Sequence, residues 1–195
     1  MSCRSYFDDG TKLHDYEHNG KFSISKFYKA LREPIAQVRW KRLLCNNKAS
    51  PRSLFITWLA VLGRLATKSR LAQWNMISDT TCVLCNDAEE DIQHLFFNCP
   101  FSTDIWMKCL NLLGIGRRPM AFLDEISTAA IKCRKKNNKN QLYGMLFAEA
   151  IYNIWIQRNH PVFEGNHKLP DQTMDLILFN VACRIPDSMK VQLCR

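Results

Sequence analysis

Four soft metal ligands in one short stretch constrain this chain more than any other feature. Cys82-Val83-Leu84-Cys85 and His94-Leu95-Phe96-Phe97-Asn98-Cys99 give the spacing Cys-x2-Cys-x8-His-x4-Cys. A Cys-x2-Cys pair can bite one metal ion from a tight turn. His94 and Cys99, five positions apart, can close the tetrahedron from the other side. Three thiolates and one imidazole fill the four positions that Zn2+ takes in a structural site, which leaves none for a reactive water. The rival readings are a redox Cys-x2-Cys, a disulfide, or buried apolar cysteines. The spacing favours zinc, since His94 is the one histidine close to a cysteine pair.

The compartment follows from the rest of the composition. No apolar run reaches the ~20 residues that span a bilayer. The longest candidate, residues 54–66, is 13 residues long and contains Arg64. Residues 1–9 carry acids where a signal peptide needs an apolar stretch. The expectation is an intracellular protein, in nucleus or cytoplasm, with no membrane partner. Nine cysteines in a reducing compartment are ligands or core residues before they are disulfides. Three are assigned to zinc, and Cys3, Cys45, Cys109, Cys133, Cys183 and Cys194 are left as core or surface thiols.

Charge is unevenly placed. Residues 29–70 hold ten basic groups (Lys29, Arg32, Arg39, Lys41, Arg42, Lys48, Arg52, Arg64, Lys68 and Arg70) against Glu33 alone, which equals the whole formal charge of +9. Residues 71–107 carry six acids and no Lys or Arg. If the chain binds nucleic acid, the metal loop is therefore a poor contact surface and the basic flank is the expected one.

Taken in order, the pattern predicts a mainly α fold. Residues 1–20 read as loop, and the Tyr6-Phe7-Asp8-Asp9 run lacks the upstream sheet and carboxylates of a polymerase metal site. Residues 20–24 alternate like a short strand, and Ser25 would cap a helix to about Arg32, ended by Pro34. Residues 38–44 are either a half-buried helix or a basic connector. Ser50-Pro51 is a cap and N1 proline. Behind it Leu54, Trp58, Val61, Leu62 and Leu65 form one apolar stripe. Thr67 would cap a short helix carrying Leu71 and Trp74, and both Trp58 and Trp74 read as core before base-stacking residues. Cys99-Pro100 starts a helix that Gly114 stops. Helices are also expected over residues 122–136, 141–158 and from Pro170 to Pro186, with an exposed basic loop at 134–140. The expected divisions are an N-terminal loop (1–19), a zinc-binding helical domain (20–116) and a helical extension (117–195), packed on that domain or joined to it by the basic loop.

Several of these stretches resemble one known family. They are residues 51–67, Cys82-x2-Cys85, His94-Leu95-Phe96-Phe97-x-Cys99 and Ile105-Trp106, with Gly20-x-Phe22-Ser23 and Tyr28-x2-Leu31 as lead-in. Ile151-Tyr152-x2-Trp155-x2-Arg158-Asn159-x3-Phe163 is similar to the helix that follows. The family is the reverse-transcriptase zinc-binding domain, found downstream of the polymerase in plant LINE-type retrotransposons and in stand-alone plant proteins. The resemblance covers roughly residues 15–165 and implies zinc ligation by Cys82, Cys85, His94 and Cys99, with a nucleic-acid role beside a reverse transcriptase. The polymerase, endonuclease and ribonuclease H motifs are not among these residues.

The function expected from both lines is a non-catalytic zinc module that binds RNA or DNA. Its contacts would be Arg39, Lys41, Arg42, Lys48, Arg52, Arg64, Lys68 and Arg70. The alternative is a zinc-stapled helical adaptor for a protein partner. No carboxylate pair, nucleophile-base order or open metal site points to an enzyme or to a small-molecule substrate.

Overall fold

The computed structural model describes residues 13–31, 38–135, 137–164 and 168–190. Tyr6 to Asp9, Cys3, Arg32, Glu33, Pro34 and Cys194 lie outside them. The described chain is predominantly helical, with a single two-stranded sheet. It divides into two compact units, Met1–Val38 and Arg39–Arg195.

The first unit is a small hairpin and helix. A 3-10 turn (Leu13–Tyr16) leads into β1 (Glu17–His18), which pairs antiparallel with β2 (Lys21–Phe22). Asn19 and Gly20, at φ 53° and 72°, make the two-residue turn that matches strand twist. The expectation of loop through residue 20 is therefore corrected at 13–20; the Asn-Gly dipeptide was the overlooked signal. Helix α1 (Ile24–Leu31) is capped by Ser23, whose Oγ accepts from the Lys26 amide at 3.3 Å, and not by Ser25. Tyr16 and Phe22 pack on Phe27 at 5.1 and 5.5 Å between ring centroids.

The second unit is organised around one long helix. Its helices are α2 (Lys41–Cys45), α3 (Pro51–Val61), α4 (Lys68–Gln73), α5 (Pro100–Leu112), α6 (Phe122–Lys132), α7 (Asn138–Glu164), α8 (Pro170–Ala182) and α9 (Asp187–Lys190). Residues 142–151 of α7 are buried on every side, Glu149 among them. Helices α3, α5, α6 and α8 pack around it. Residues on both sides of position 116 share this one hydrophobic core.

Helix α3 starts and stops where local chemistry dictates. Ser50 Oγ accepts from the Ser53 amide at 3.1 Å, and Pro51 fills N1. At the other end Gly63 takes φ +62°, its amide donates to Ala60 and the Arg64 amide donates to Leu59, closing a Schellman motif. Leu65, expected on this helix, is buried in the loop beyond it. The buried face is also a correction. Ser53, Thr57 and Ala60 are the buried line, while Leu54, Trp58 and Val61 are half-buried and Leu62 is exposed. Small side chains at a helix contact shorten the distance between axes, so α3 can lie close on α7. The Thr57 hydroxyl is satisfied by the Ser53 carbonyl at 2.7 Å.

Other boundaries shift for equally local reasons. Helix α6 stops at Lys132, short of 136, and α8 stops at Ala182, ahead of Pro186, which precedes the short α9. Trp74 is not core. It sits at the end of α4, 53% exposed, with the Arg70 guanidinium 4.8 Å from its ring centroid.

The α3–α7 contact gives a test. Thr57→Leu adds apolar volume where only small groups fit, so stability should fall by about 1–3 kcal/mol. Phe55→Ser on the exposed side should stay within about 0.5 kcal/mol. Urea denaturation midpoints measure both, and a Thr57→Leu chain as stable as the parent would refute the close packing.

Candidate metal centre

The loop that carries the four soft ligands is built from two short arms and a knuckle. The Glu90 amide donates to the Thr80 carbonyl and the Cys82 amide to the Ala88 carbonyl, each at 2.8 Å, with a β-bridge between Thr81 and Glu89. Between the arms, Asn86 adopts φ +56° and its amide donates to the Cys82 carbonyl at 2.8 Å. Asn is one of the few residues that visits this left-handed region readily. The knuckle folds Cys85 back beside Cys82.

His94 and Cys99 are brought together by a π-helical turn, His94–Asn98. Its defining bond runs from the Cys99 amide to the His94 carbonyl at 2.6 Å. An i→i+5 bond stacks the fifth residue on the first, whereas an α-turn would stack the fourth. Asp91 Oδ1 accepts from the His94 amide at 2.6 Å and starts the turn. Carbonyls at its end are satisfied from α5: Ser102 Oγ donates to Leu95 and Thr103 Oγ1 to Phe97, at 2.5 and 2.8 Å. The intervening Leu95, Phe96 and Phe97 are buried. Phe96 stacks on Phe122 at 5.7 Å, and Phe97 lies 5.9 Å from Trp106. The turn is thus anchored in the core on the side away from its ligands.

The outcome is convergence. The Sγ atoms of Cys82, Cys85 and Cys99 and a ring nitrogen of His94 all lie within 4.8 Å of one another. Cys85 Sγ and His94 Nε2 are 3.2 Å apart. Cys82 and Cys99 are fully buried, while Cys85 and His94 reach partial exposure. A hydrogen bond from Cys99, with the Leu84 and Cys85 amides, pulls the Cys82 thiol well below its ordinary range. Cys99, as the donor of that pair and buried, is pushed up. Backbone N–H groups aimed at sulfur stabilise thiolate, the form that binds metal. The donor set therefore fits a soft or borderline cation, and the cluster can hold one metal ion. All the cysteines among the described residues are free, so the disulfide reading fails there.

The remaining thiols are not part of it. Burial pushes Cys109 up to about 12 and Cys133 up to about 11, which keeps them protonated. Cys45 and Cys183 are exposed. His18 is exposed and His160 half-buried, away from any cysteine cluster among the described residues.

One polar knot behind the loop escaped the sequence reading. Glu90 is fully buried, and its Oε1 accepts from Arg158 Nε and Nη2 of α7 at 2.9 and 2.7 Å. The same oxygen accepts from the Lys68 amide at 2.9 Å, and the Glu90 carbonyl accepts from Ser69. Glu90, not the Thr67 hydroxyl, therefore caps α4.

The eight expected nucleic-acid residues fall into two groups. Arg39, Lys41, Arg42, Lys48, Arg52 and Arg64 are exposed. Lys68 pairs with Asp79 at 2.7 Å, and that ammonium holds the Asp79 carboxyl below the usual carboxylate range. Arg70 donates to the Gly63 carbonyl and covers Trp74. Lys68 and Arg70 thus have intramolecular partners. Among the described residues no helix is long and apolar enough to cross a membrane.

The Glu90–Arg158 pair predicts a sharply non-additive cycle. Removing one partner strands a buried charge, so Glu90→Leu or Arg158→Met alone should cost about 3–5 kcal/mol. The double variant should cost less than either single one. Additive losses in chemical denaturation would mean that the two side chains do not interact.

Residues 22–106 match the family model described as zinc-binding in reverse transcriptase. No curated protein and no solved structure matches the chain. The match spans the whole ligand loop and runs from β2 into α5. The Cys3His cluster thus lies within the segment that is similar to the reverse-transcriptase zinc-binding domain family.

Proposed function

We propose that Cys82, Cys85, His94 and Cys99 ligate one Zn2+ as a closed structural site, and that the chain is a non-catalytic module binding RNA or DNA. The observation that carries the zinc assignment is the convergence of three thiols and one imidazole within 4.8 Å. Four protein donors complete a tetrahedron and leave no position for substrate or water. The ion would tie the knuckle to the π turn and so to the base of α5. Structural zinc contributes about 10–16 kcal/mol in small peptides, against a net domain stability of about 5–15 kcal/mol. Folding of the loop should therefore depend on it.

The nucleic-acid reading rests on charge placement. Arg39, Lys41, Arg42, Lys48, Arg52 and Arg64 present an exposed cationic run from α2 across α3. The ligand loop itself is acidic, so the phosphate contacts belong to that flank. Cationic side chains that neutralise phosphates release counterions, which makes such binding steeply salt-dependent. An intracellular reducing compartment, nucleus or cytoplasm, suits the three thiolates. A second reading, an adaptor for a protein partner, draws on the exposed Leu123, Ile131 and Phe179 of α6 and α8. A stoichiometric protein partner on copurification, without nucleic acid, would support it.

Purified protein should contain one zinc per chain by elemental analysis. Cys85→Ser, or a strong chelator, should remove the ion and part of the helical circular dichroism. An unchanged spectrum after complete metal removal would defeat the structural role. Affinity for duplex DNA or single-stranded RNA should fall with salt, with a log–log slope of about −0.9 or −0.7 per phosphate contacted. Reversing Arg39, Lys41 and Arg42 to Glu should weaken binding with zinc content intact. Binding that ignores salt, or none at low salt, would refute the nucleic-acid reading.

A further inference from the structure

Two basic segments far apart in sequence meet at one cleft. It has a volume of about 340 Å3 and lies where α2 and the loop after it face the α6–α7 turn and the start of α7. Arg42 comes from the first basic run, and Arg134 and Lys135 come from the second, which the sequence reads as a solvated loop. The Arg42 guanidinium donates to the Arg134 carbonyl at 3.0 Å across 92 residues, so the two segments are held together and not merely near.

The chemistry of the wall is one-sided. No carboxylate lines the cleft, and apart from the cations the wall is almost entirely amide side chains. Gln141 lines it, with an Nε2 that is shielded from solvent and has no acceptor. The N-terminus of α7, a 27-residue helix, opens onto the same space. Asn137 Oδ1 caps the Asn140 amide at 2.8 Å, and the Asn137 carbonyl accepts from Gln141. The Asn138 and Lys139 amides lie in the first turn of α7, where a helix offers no intrahelical acceptor to its N–H groups. The floor is set by Gly144. Asn47 Nδ2 donates to its carbonyl at 2.7 Å, and a Cβ there would meet Cys133 Sγ at 2.8 Å.

We propose that this cleft is a phosphate subsite, and that it takes a phosphodiester of the nucleic acid bound by the basic flank. The proposal rests on the nucleic-acid reading for its source of phosphate, but not for its chemistry. Three cations, amide donors and a helix N-terminus are complementary to a multiply hydrogen-bonded oxyanion. Neighbouring carboxylates, which would compete for those donors, are absent from its lining. A free phosphate or pyrophosphate offers the same oxygens, so the test separates the two sources.

The experiment uses the full zinc-loaded chain with three probes: a single-stranded RNA 20-mer, the matching DNA, and inorganic pyrophosphate. Arg134→Glu is compared with Arg118→Glu, an equal charge change on the exposed linker before α6. Arg134→Glu should weaken oligonucleotide binding about tenfold or more and reduce the salt slope by about 0.7, one single-strand phosphate. Arg118→Glu should change affinity less than about threefold, and zinc content should match the parent in both. Pyrophosphate should shift the amide resonances of Asn138, Lys139 and Gln141 in the parent and not in Arg134→Glu. If the oligonucleotides bind and Arg134→Glu behaves as Arg118→Glu does, the subsite is refuted while the flank stands. If no oligonucleotide binds but pyrophosphate shifts those resonances, the cleft is a small-phosphate site and the nucleic-acid source is refuted. If neither binds, both fall.

Discussion

A single backbone hydrogen bond, from the Cys99 amide to the His94 carbonyl, decides whether this chain can gather its soft ligands. Continued α-helix would set residues five apart on diverging faces. The π turn places them on one side and turns the three residues between them into the core. That local departure has partners that stabilise it. Asp91 begins it, the Ser102 and Thr103 hydroxyls donate to its carbonyls, and Pro100 starts α5 at once. The knuckle opposite solves the same problem with a left-handed asparagine. Two strained-looking local solutions thus meet at one point, and each has its own hydrogen-bond support.

Behind the ligands, buried glutamates perform a repeated task. Glu90 holds the start of α4 and pairs with Arg158. Glu149, on α7, accepts from the Ser50 amide at 2.9 Å and so fixes the start of α3. Glu125 accepts from Arg117 and from the Met120 amide at 2.9 Å, tying the linker to α6. All three are fully buried. A carboxylate near a helix N-terminus is favoured by the dipole and by unpaired amides. Each glutamate therefore spends its charge on orienting a helix, and the cost of burying it is offset by two or more donors. The arrangement also explains how an acidic loop tolerates an α7 arginine at its back.

The charge pattern divides labour across the second unit. The ligand loop is acidic, its cations Lys68 and Arg70 coming from α4 and already engaged. Exposed cations gather instead on α2, the loop after it and the start of α3, and the α6–α7 turn adds Arg134 and Lys135 to that end. The Cys3His cluster and the cations of the proposed anion-binding flank are thus carried by different segments, so a loss at one should leave the other measurable.

What the amino-acid order settles by itself is whatever a few neighbouring groups decide. The ligand spacing, the Ser50-Pro51 and Pro100 helix starts, and the glycine stop at 114 are of that kind, as is the unread stop at Gly63, since caps and positive φ involve residues within one turn. The Asn19-Gly20 hairpin belongs with them, legible though passed over. Tertiary structure decides which groups are taken out of water. It buries Ser53, Thr57 and Ala60 in place of the leucine stripe, leaves Trp74 exposed, sinks three glutamates, and joins Arg42 to Arg134. The Glu90–Arg158, Ser50–Glu149 and Arg42–Arg134 contacts join residues 68, 99 and 92 positions apart, and the burial along α3 depends on a neighbouring helix. Burial and pairing are properties of two elements at once, and no window along one of them contains both.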